Sequence, residues 1–352
     1  MKTIRLILGI LTITATLATQ AHAQFNFTTN NGAITITGYT GPGGDVTIPD
    51  WTNGYPVTSI ETNAFFHTSS LTNVTMGTNL TSIGNTAFGF CGHMTNITLG
   101  ASVTSIGQYA FEYCPIRSLT IPNSVTNIGF SAFLSCLHMT DVLIPNSVAI
   151  IGPYAFNMCQ SLTSVTIPGS VTNLGYDSFT SCISLTNVTI GSGVTYIPQA
   201  FNNCTRLTTV MIAASVSSLG LQAFAYCTSL TSVYFQGNVP SPTNDSSVFP
   251  GNTTIYYLPD TTGWGSRFDA RPTALWNPTI QTTNASFGVQ NNQFGFTIVG
   301  TPDIPIALAA CTNPASPNWT ALQTCTLTNG SIYFTDPDWT NHPTRFYRIR
   351  SP

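Results

Sequence analysis

Leu162-Thr-Ser-Val165-Thr-Ile167-Pro168-Gly-Ser-Val171-Thr-Asn-Leu174-Gly-Tyr-Asp-Ser178-Phe179-Thr-Ser-Cys182 is one turn of a pattern that runs through most of this chain. Phe179 has counterparts at Phe65, Phe88, Phe111, Phe133, Phe156, Phe201 and Phe224, at intervals of 22 or 23 residues. A small residue precedes each phenylalanine: Ala64, Ala87, Ala110, Ala132, Ala155, Ser178, Ala200 and Ala223. Three residues after it comes a cysteine, at Cys91, Cys114, Cys136, Cys159, Cys182, Cys204 and Cys227; the first copy carries Thr68 instead. A fixed period of this length is the mark of a stacked repeat architecture.

Val165 and Ile167 are two apart, so both point to one face of a short strand. Leu185-x-x-Val188-x-Ile190 and Leu230-x-x-Val233-x-Phe235 repeat the arrangement. Each unit therefore predicts a strand, a turn, a second extended stretch through Val171 and Leu174, and a short irregular turn at the phenylalanine. No copy can bury its apolar side alone, but stacked copies share one core. The two shorter intervals place their deletions in different turns, before Ile116 and between Ile197 and Phe201, while the anchors survive. Ten strands are predicted, beginning near residues 46, 74, 97, 119, 142, 165, 188, 210, 233 and 255. At roughly 4.8 Å per strand the stack is about 45 Å long.

The motif Leu162-x-x-Val165-x-Ile167-Pro168, followed by Ser178-Phe179 and Cys182, resembles the BspA-like bacterial leucine-rich repeats. The resemblance covers residues 30 to 260 and extends, through Trp264 and Trp276, to about residue 278. It implies a leucine-rich repeat solenoid, α/β or mostly β, curved, with a parallel sheet on its concave side. It also implies an exported or surface protein that binds diverse partners.

The chain has 352 residues, a formal net charge of −3 and only 6% charged residues. Thr, Ser, Asn and Gly supply the solubility that charge normally supplies. Nine basic residues against twelve acidic ones exclude a polybasic nucleic-acid or anionic-membrane binder. Lys2 and Arg5, the apolar run Leu6 to Leu17, and Ala21-His22-Ala23 form the three regions of a secretory signal. Removing residues 1–23 subtracts Lys2 and Arg5 and leaves −5, seven arginines and no lysine. An exported protein is expected: secreted, periplasmic or at the cell surface, with no membrane span in the mature chain.

The expected organisation is a signal over 1–23, then an N-terminal cap and first irregular repeat over 24–60. Regular repeats follow over 61–235. A last irregular repeat and C-terminal cap occupy 236–278, with Trp264, Phe268 and Trp276 covering the open end. Loop residues Pro240, Pro242, Asn244, Asp245 and Ser246 interrupt this part. From 279 to 352 short alternating segments such as Phe294-x-Phe296-x-Ile298 and Ile304-x-Ile306-x-Leu308 predict a small β-sandwich-like module. Cys311 and Cys325 fall outside the repeat, and export permits a disulfide between them; two free buried thiols are the alternative.

The cysteine ladder has no clustered C-x-x-C spacing for zinc. It reads as small buried thiols that donate weakly to backbone carbonyls. His93 and His138 belong to copies two apart, roughly 10 Å by strand stacking, too far for one metal. Asp336-Pro-Asp338 reads as a turn cap, with calcium as the alternative. No H-E-x-x-H, G-x-S-x-G or phosphate-binding loop occurs, and no cofactor or enzyme activity is expected.

The strand positions that flank the inward aliphatics form the candidate binding face: Asn73 and Thr75, Asn96 and Thr98, Ser118 and Thr120, Asp141 and Leu143. Ser164 and Thr166, Asn187 and Thr189, Thr209 and Met211, and Ser232 and Tyr234 continue it. Threonine here suits both β-structure and solubility. The face equally suits recognition of a protein or a glycan, with Leu143, Met211 and Tyr234 as apolar contacts. The leading expectation is an exported recognition or adhesion scaffold acting through this face or the repeat loops. The alternatives are a structural cell-envelope or matrix component that self-associates, and a polysaccharide-acting enzyme, which would need a carboxylate-lined cleft.

Overall fold

The computed structural model describes residues 24–241, 247–315 and 318–351. The signal expected over 1–23, and Pro242, Asn244, Asp245 and Ser246 of the predicted loop, lie outside the described residues. The chain divides into two compact units, one of residues up to 230 with 240–250, the other of 231–239 with 251 onward.

The first unit is a β-solenoid whose coils are joined by three hydrogen-bonded ladders. The first ladder holds the L-x-x-V-x-I strands, all parallel. Gly44–Thr47, Leu71–Thr75 and Asn96–Thr98 form one sheet, and Ser118–Thr120 pairs with Asp141–Leu143. Ser164–Ile167, Asn187–Ile190 and Thr209–Ile212 follow in another. Val165 lies opposite Val188, and Val188 opposite Val210. A slip of one residue would turn these buried aliphatics into water, so burial holds the register.

The second ladder is made of two-residue strands: Ser82–Ile83, Ser105–Ile106, Asn127–Ile128, Ile150–Ile151 and Asn173–Leu174. It continues from the cap, where Phe25–Asn30 and Ala33–Tyr39 make an antiparallel hairpin and Ala33–Tyr39 runs parallel to Tyr55–Ile60. Asn31 and Gly32 both have positive φ, which a two-residue hairpin turn of this hand requires.

The third ladder is the turn itself. The N–H of Phe133 donates to the carbonyl of Ala155 at 2.8 Å, and that of Phe156 to Ser178 at 2.8 Å. From Phe65 to Phe179, the residues two before and two after the phenylalanine donate to the next coil in the same way, as Ser131 does to Pro153 and Ser135 to Asn157. Many of these flanking residues are left-handed, with φ of 51° at Ser131 and 57° at Ser135. Inside the turns the phenylalanine rings are fully buried and stacked nearly parallel, with centroids 5.2 Å apart for Phe133–Phe156 and for Phe156–Phe179. Tyr39 extends this column at one end, 5.2 Å from Phe65, and Phe249 at the other, 5.5 Å from Phe224.

The second unit carries three further parallel strands, Ser232–Phe235, Thr254–Tyr257 and Arg271–Leu275, followed by the all-β module. One module sheet centres on Gln293–Val299, flanked by Thr279–Gln281, Gly288–Gln290 and Ser331–Asp336. The other centres on Pro305–Cys311, between Thr320–Thr326 and Phe346–Arg350. Phe296, Ile298 and Phe334 from the first sheet meet Ile306 and Leu308 from the second in one core. Trp264 stacks on Tyr257 at 5.3 Å and packs against Phe235 and Phe268.

The disulfide expected between Cys311 and Cys325 is not formed; both thiols are free. Cys325 lies opposite Ile306, whereas Cys311 sits five residues further along that strand, opposite Phe346. Five strand residues span roughly 17 Å, well beyond the reach of a disulfide.

Candidate functional site

The strand face of the first unit presents two in-register rows. Asn73 and Asn96 are paired in one row, as are Ser118 with Asp141, and Ser164, Asn187 and Thr209 in succession. Thr75 with Thr98, Thr120 with Leu143, and Thr166, Thr189 and Met211 make the other. The period of two puts every one of these side chains on the side away from Val165 and Ile167.

The first row is held by side-chain hydrogen bonds. The Asn96 amide donates to Asn73 Oδ1 at 2.7 Å, and Asp45 accepts from Asn73 and from Thr72 Oγ1. These bonds, Asn73 first, hold the Asp45 carboxyl below the usual aspartate range. Asp141 accepts from Thr140 Oγ1 at 2.7 Å.

The second row changes character at Leu143, which is 64% exposed. The hydrogen-bonded sheet is interrupted between Asp141–Leu143 and Ser164–Ile167. A shallow depression of about 660 Å³ opens there, lined by Leu143, Pro145, Thr166, Pro168 and Thr189 among others. Its walls are aliphatic, proline, hydroxyl and amide groups, the amides from Asn123 and Asn146, with no ionisable side chain.

The other two apolar residues expected on this face are placed differently. Met211 is half-buried. Tyr234 is buried at 5% exposure, which corrects its expected availability. Its ring stacks on Tyr256 at 4.9 Å and meets Trp276 edge-on, within the core that includes Phe296 and Ile306. The module covers this strand, so its outward position is outward only in the local pattern.

The seven ladder thiols are buried, and each donates to the carbonyl of the phenylalanine one coil back, as Cys136 does to Phe111 at 3.2 Å and Cys159 to Phe133 at 3.4 Å. Burial pushes Cys136 and Cys182 up to about 12. These groups stay protonated and serve packing. His93 Nδ1 lies 2.6 Å from the Ser69 carbonyl, and the His67 ring stacks on Phe90 at 5.0 Å. Asp336 Oδ1 accepts from the Asp338 N–H at 3.0 Å, a turn cap, and the two carboxylates hold Arg345 at 2.9 and 3.2 Å. Among the described residues no group of three or more His, Cys, Asp or Glu side chains is placed to hold a metal ion. No described helix is long and apolar enough to cross a membrane.

Two further features were not predicted from the sequence. Thr81, Thr104 and Thr126 each donate Oγ1–H to the residue one coil back, as do Thr163, Thr186 and Thr208 on the other ladder. Much of the threonine therefore ties coil to coil. Tyr109, Phe130, Tyr154 and Tyr176 form a run of surface rings that alternate between two and three residues before the ladder phenylalanine, so no single column reveals them.

Parallel ladders in a period of 22 to 23 residues define a leucine-rich repeat solenoid. The family described as BspA type Leucine rich repeat region (6 copies) matches residues 58–148 and 126–255, more than half of the chain. The chain belongs to that family. Among solved structures, the T. pallidum Leucine Rich Repeat protein (TpLRR) is similar at 26% identity and a TM-score of 0.44, with 59% of this chain and 88% of that chain covered. A leucine rich cell surface protein from Faecalibacterium prausnitzii A2-165 is similar at 25% identity and a TM-score of 0.41, covering 68% and 88%. A leucine-rich repeat protein from Bacteroides ovatus shares 21% identity, with a TM-score of 0.28 and coverage of 72% and 98%. No curated protein matches the chain.

Proposed function

We propose that this chain is an exported recognition scaffold that holds a protein ligand against its strand face, with Leu143 as the apolar anchor. The observation that carries this reading is the exposed Leu143 side chain in an uncharged depression on an otherwise hydroxyl- and amide-rich face. Thr75, Thr98, Thr120, Thr166 and Thr189 occupy the same row, so leucine is not what the strand itself requires. A central apolar residue ringed by polar groups is the arrangement from which interface hot spots are built. With no charge in the depression and Asp141 as the charged group on the same strand, recognition rests on shape and hydrogen bonds more than on electrostatic steering. The signal-like pattern over 1–23 supports export, to the cell surface, the periplasm or the medium.

The test is a binding screen of chain 24–352 against extracellular protein and glycan panels, repeated with Leu143→Asp. A protein ligand whose affinity falls by about tenfold or more in the variant supports the reading. Glycan binding alone at this face, or a protein ligand indifferent to Leu143→Asp, sinks it.

A further inference from the structure

A different edge of the coils carries the run Tyr109, Phe130, Tyr154 and Tyr176, one aromatic per coil. Successive ring centroids are 5.2, 5.5 and 4.8 Å apart, with interplanar angles of 64°, 65° and 75°. The first three rings are half-buried and Tyr176 is 47% exposed. We propose that this strip binds a neutral, extended polysaccharide, at a site separate from the strand face.

The backbone does not ask for these rings. Tyr109 and Tyr154 are left-handed, with φ of 56° and 57°. The equivalent position of other coils holds Asn63, Thr86, Ser131, Asp177 and Gln222, all left-handed, so the turn does not require an aromatic there. A bulky tyrosine there carries a local conformational cost that the turn itself does not repay. The rings are also not the core stack, which is the separate column through Phe111, Phe133, Phe156 and Phe179.

The spacing and tilt fit a sugar chain. One ring per coil follows the pitch of the stack, about 4.8 Å, close to the rise of one residue in an extended pyranose chain. Edge-to-face alternation turns successive ring faces in alternate directions, as successive units of a twofold sugar chain turn theirs. The C–H face of a pyranose packs on an aromatic face through apolar burial and the ring quadrupole.

Beside Phe130 lies a groove of about 360 Å³ with Asn85, Gln108 and Asn127 among its lining and no ionisable side chain. The groove carries no charge, and the carboxylate beside the strip, Asp177, interacts with Tyr154, an environment that suits a neutral ligand and opposes an anionic one. Its floor passes over Gly107, Gly129 and Gly152, whose N–H groups already donate to the preceding coil at 3.0, 2.9 and 2.9 Å. An extended peptide would find those donors already engaged. Ring faces and side-chain amides remain, and both suit sugar hydroxyls and C–H faces.

The test is electrophoresis of chain 24–352 in native gels containing hydroxyethylcellulose, glucomannan or, as the anionic control, alginate. Retardation by a neutral polysaccharide is expected, weakened about tenfold or more in the double variant Tyr154→Ala with Tyr176→Ala. Tyr154→Phe with Tyr176→Phe retains it, and so does Leu143→Asp, which separates this strip from the proposed protein face. Should the alanine variant not fold, protection of Tyr154 and Tyr176 from nitration by tetranitromethane in the presence of the polysaccharide reads the same contact by mass spectrometry. No retardation in either neutral gel, retardation in alginate alone, retardation unchanged in the folded alanine variant, or nitration indifferent to the polysaccharide overturns the proposal.

Discussion

The thiol of Cys114 donates to the carbonyl oxygen of Phe88, one coil back, across 3.0 Å. The contact recurs from Cys91–Phe65 to Cys227–Phe201, so each coil is pinned to the preceding one beside its aromatic ring. Seven cysteines thus act as small, weakly polar packing residues; their thiols add a contact from the next coil to carbonyls that also accept an N–H within the turn, as Phe88 does from Cys91 at 3.3 Å.

This placement makes stability fall in alkali. Burial raises the Cys114, Cys136, Cys159, Cys182 and Cys204 thiols, with Cys136 and Cys182 reaching about 12. An unfolded thiol loses its proton near pH 8.5. Above that pH the unfolded chain binds fewer protons than the folded one, so stability is lost from about pH 8.5 upward toward the folded values. Each such thiol removes about 1.4 kcal/mol per pH unit once its unfolded form is fully ionised. Urea midpoints should hold steady from pH 7 to 8 and drop between pH 9 and 10. A flat profile would contradict the buried ladder.

Phe156 lies between Phe133 and Phe179 with no exposed surface. Phe156→Ala removes ring contacts on both sides and should cost about 3–5 kcal/mol in equilibrium unfolding. Unchanged stability would mean that the ring column is not the core.

Gly129 and Gly92 separate packing from propensity. A Cβ on Gly129 would sit 2.7 Å from the Gly107 carbonyl carbon, and backbone cannot swing aside as a side chain can. Gly129→Ala should destabilise by about 1–3 kcal/mol or more. A Cβ on Gly92 meets nothing within 4 Å, and Gly92→Ala should be neutral or stabilise by up to about 1 kcal/mol. Thermal melts of the two variants check the contrast.

In the module, Asp336 is 2% exposed and pairs with Arg345 at 2.9 Å while accepting from Tyr347 Oη at 2.7 Å. Arg345→Met leaves a buried carboxylate without its cation and should cost about 3–5 kcal/mol of module stability. Adding Asp336→Asn to that variant should recover part of the loss, because the uncompensated charge is then gone. Denaturant melts followed by Trp339 and Trp319 fluorescence report the module.

Periodicity made the coil legible because burial repeats with it. Val165 and Ile167 had to face inward, and Phe156 had to meet its neighbours one coil away. What did not repeat stayed hidden. Tyr39 reaches the ring column from the cap hairpin, and Phe249 arrives 25 residues after Phe224, past an insertion. Tyr234 was outward by alternation, but Tyr256 and Trp276 pack on it within a core that Phe296 and Ile306 complete from outside the repeat. Cys311 and Cys325 were close in number, yet an antiparallel register placed them at opposite ends of a strand pair. The two kinds of threonine look alike in composition. Only the coil geometry distinguishes Thr163, which donates to Thr140, from Thr166, which faces out beside Leu143.

The proposal that the strand face at Leu143 holds the ligand is tested most directly by hydrogen exchange on chain 24–352 with and without a protein partner found in the screen. Slowed exchange over residues 141–146 and 164–169 is the predicted footprint. Slowing confined to residues 279–351, or none in either strand segment, would contradict it.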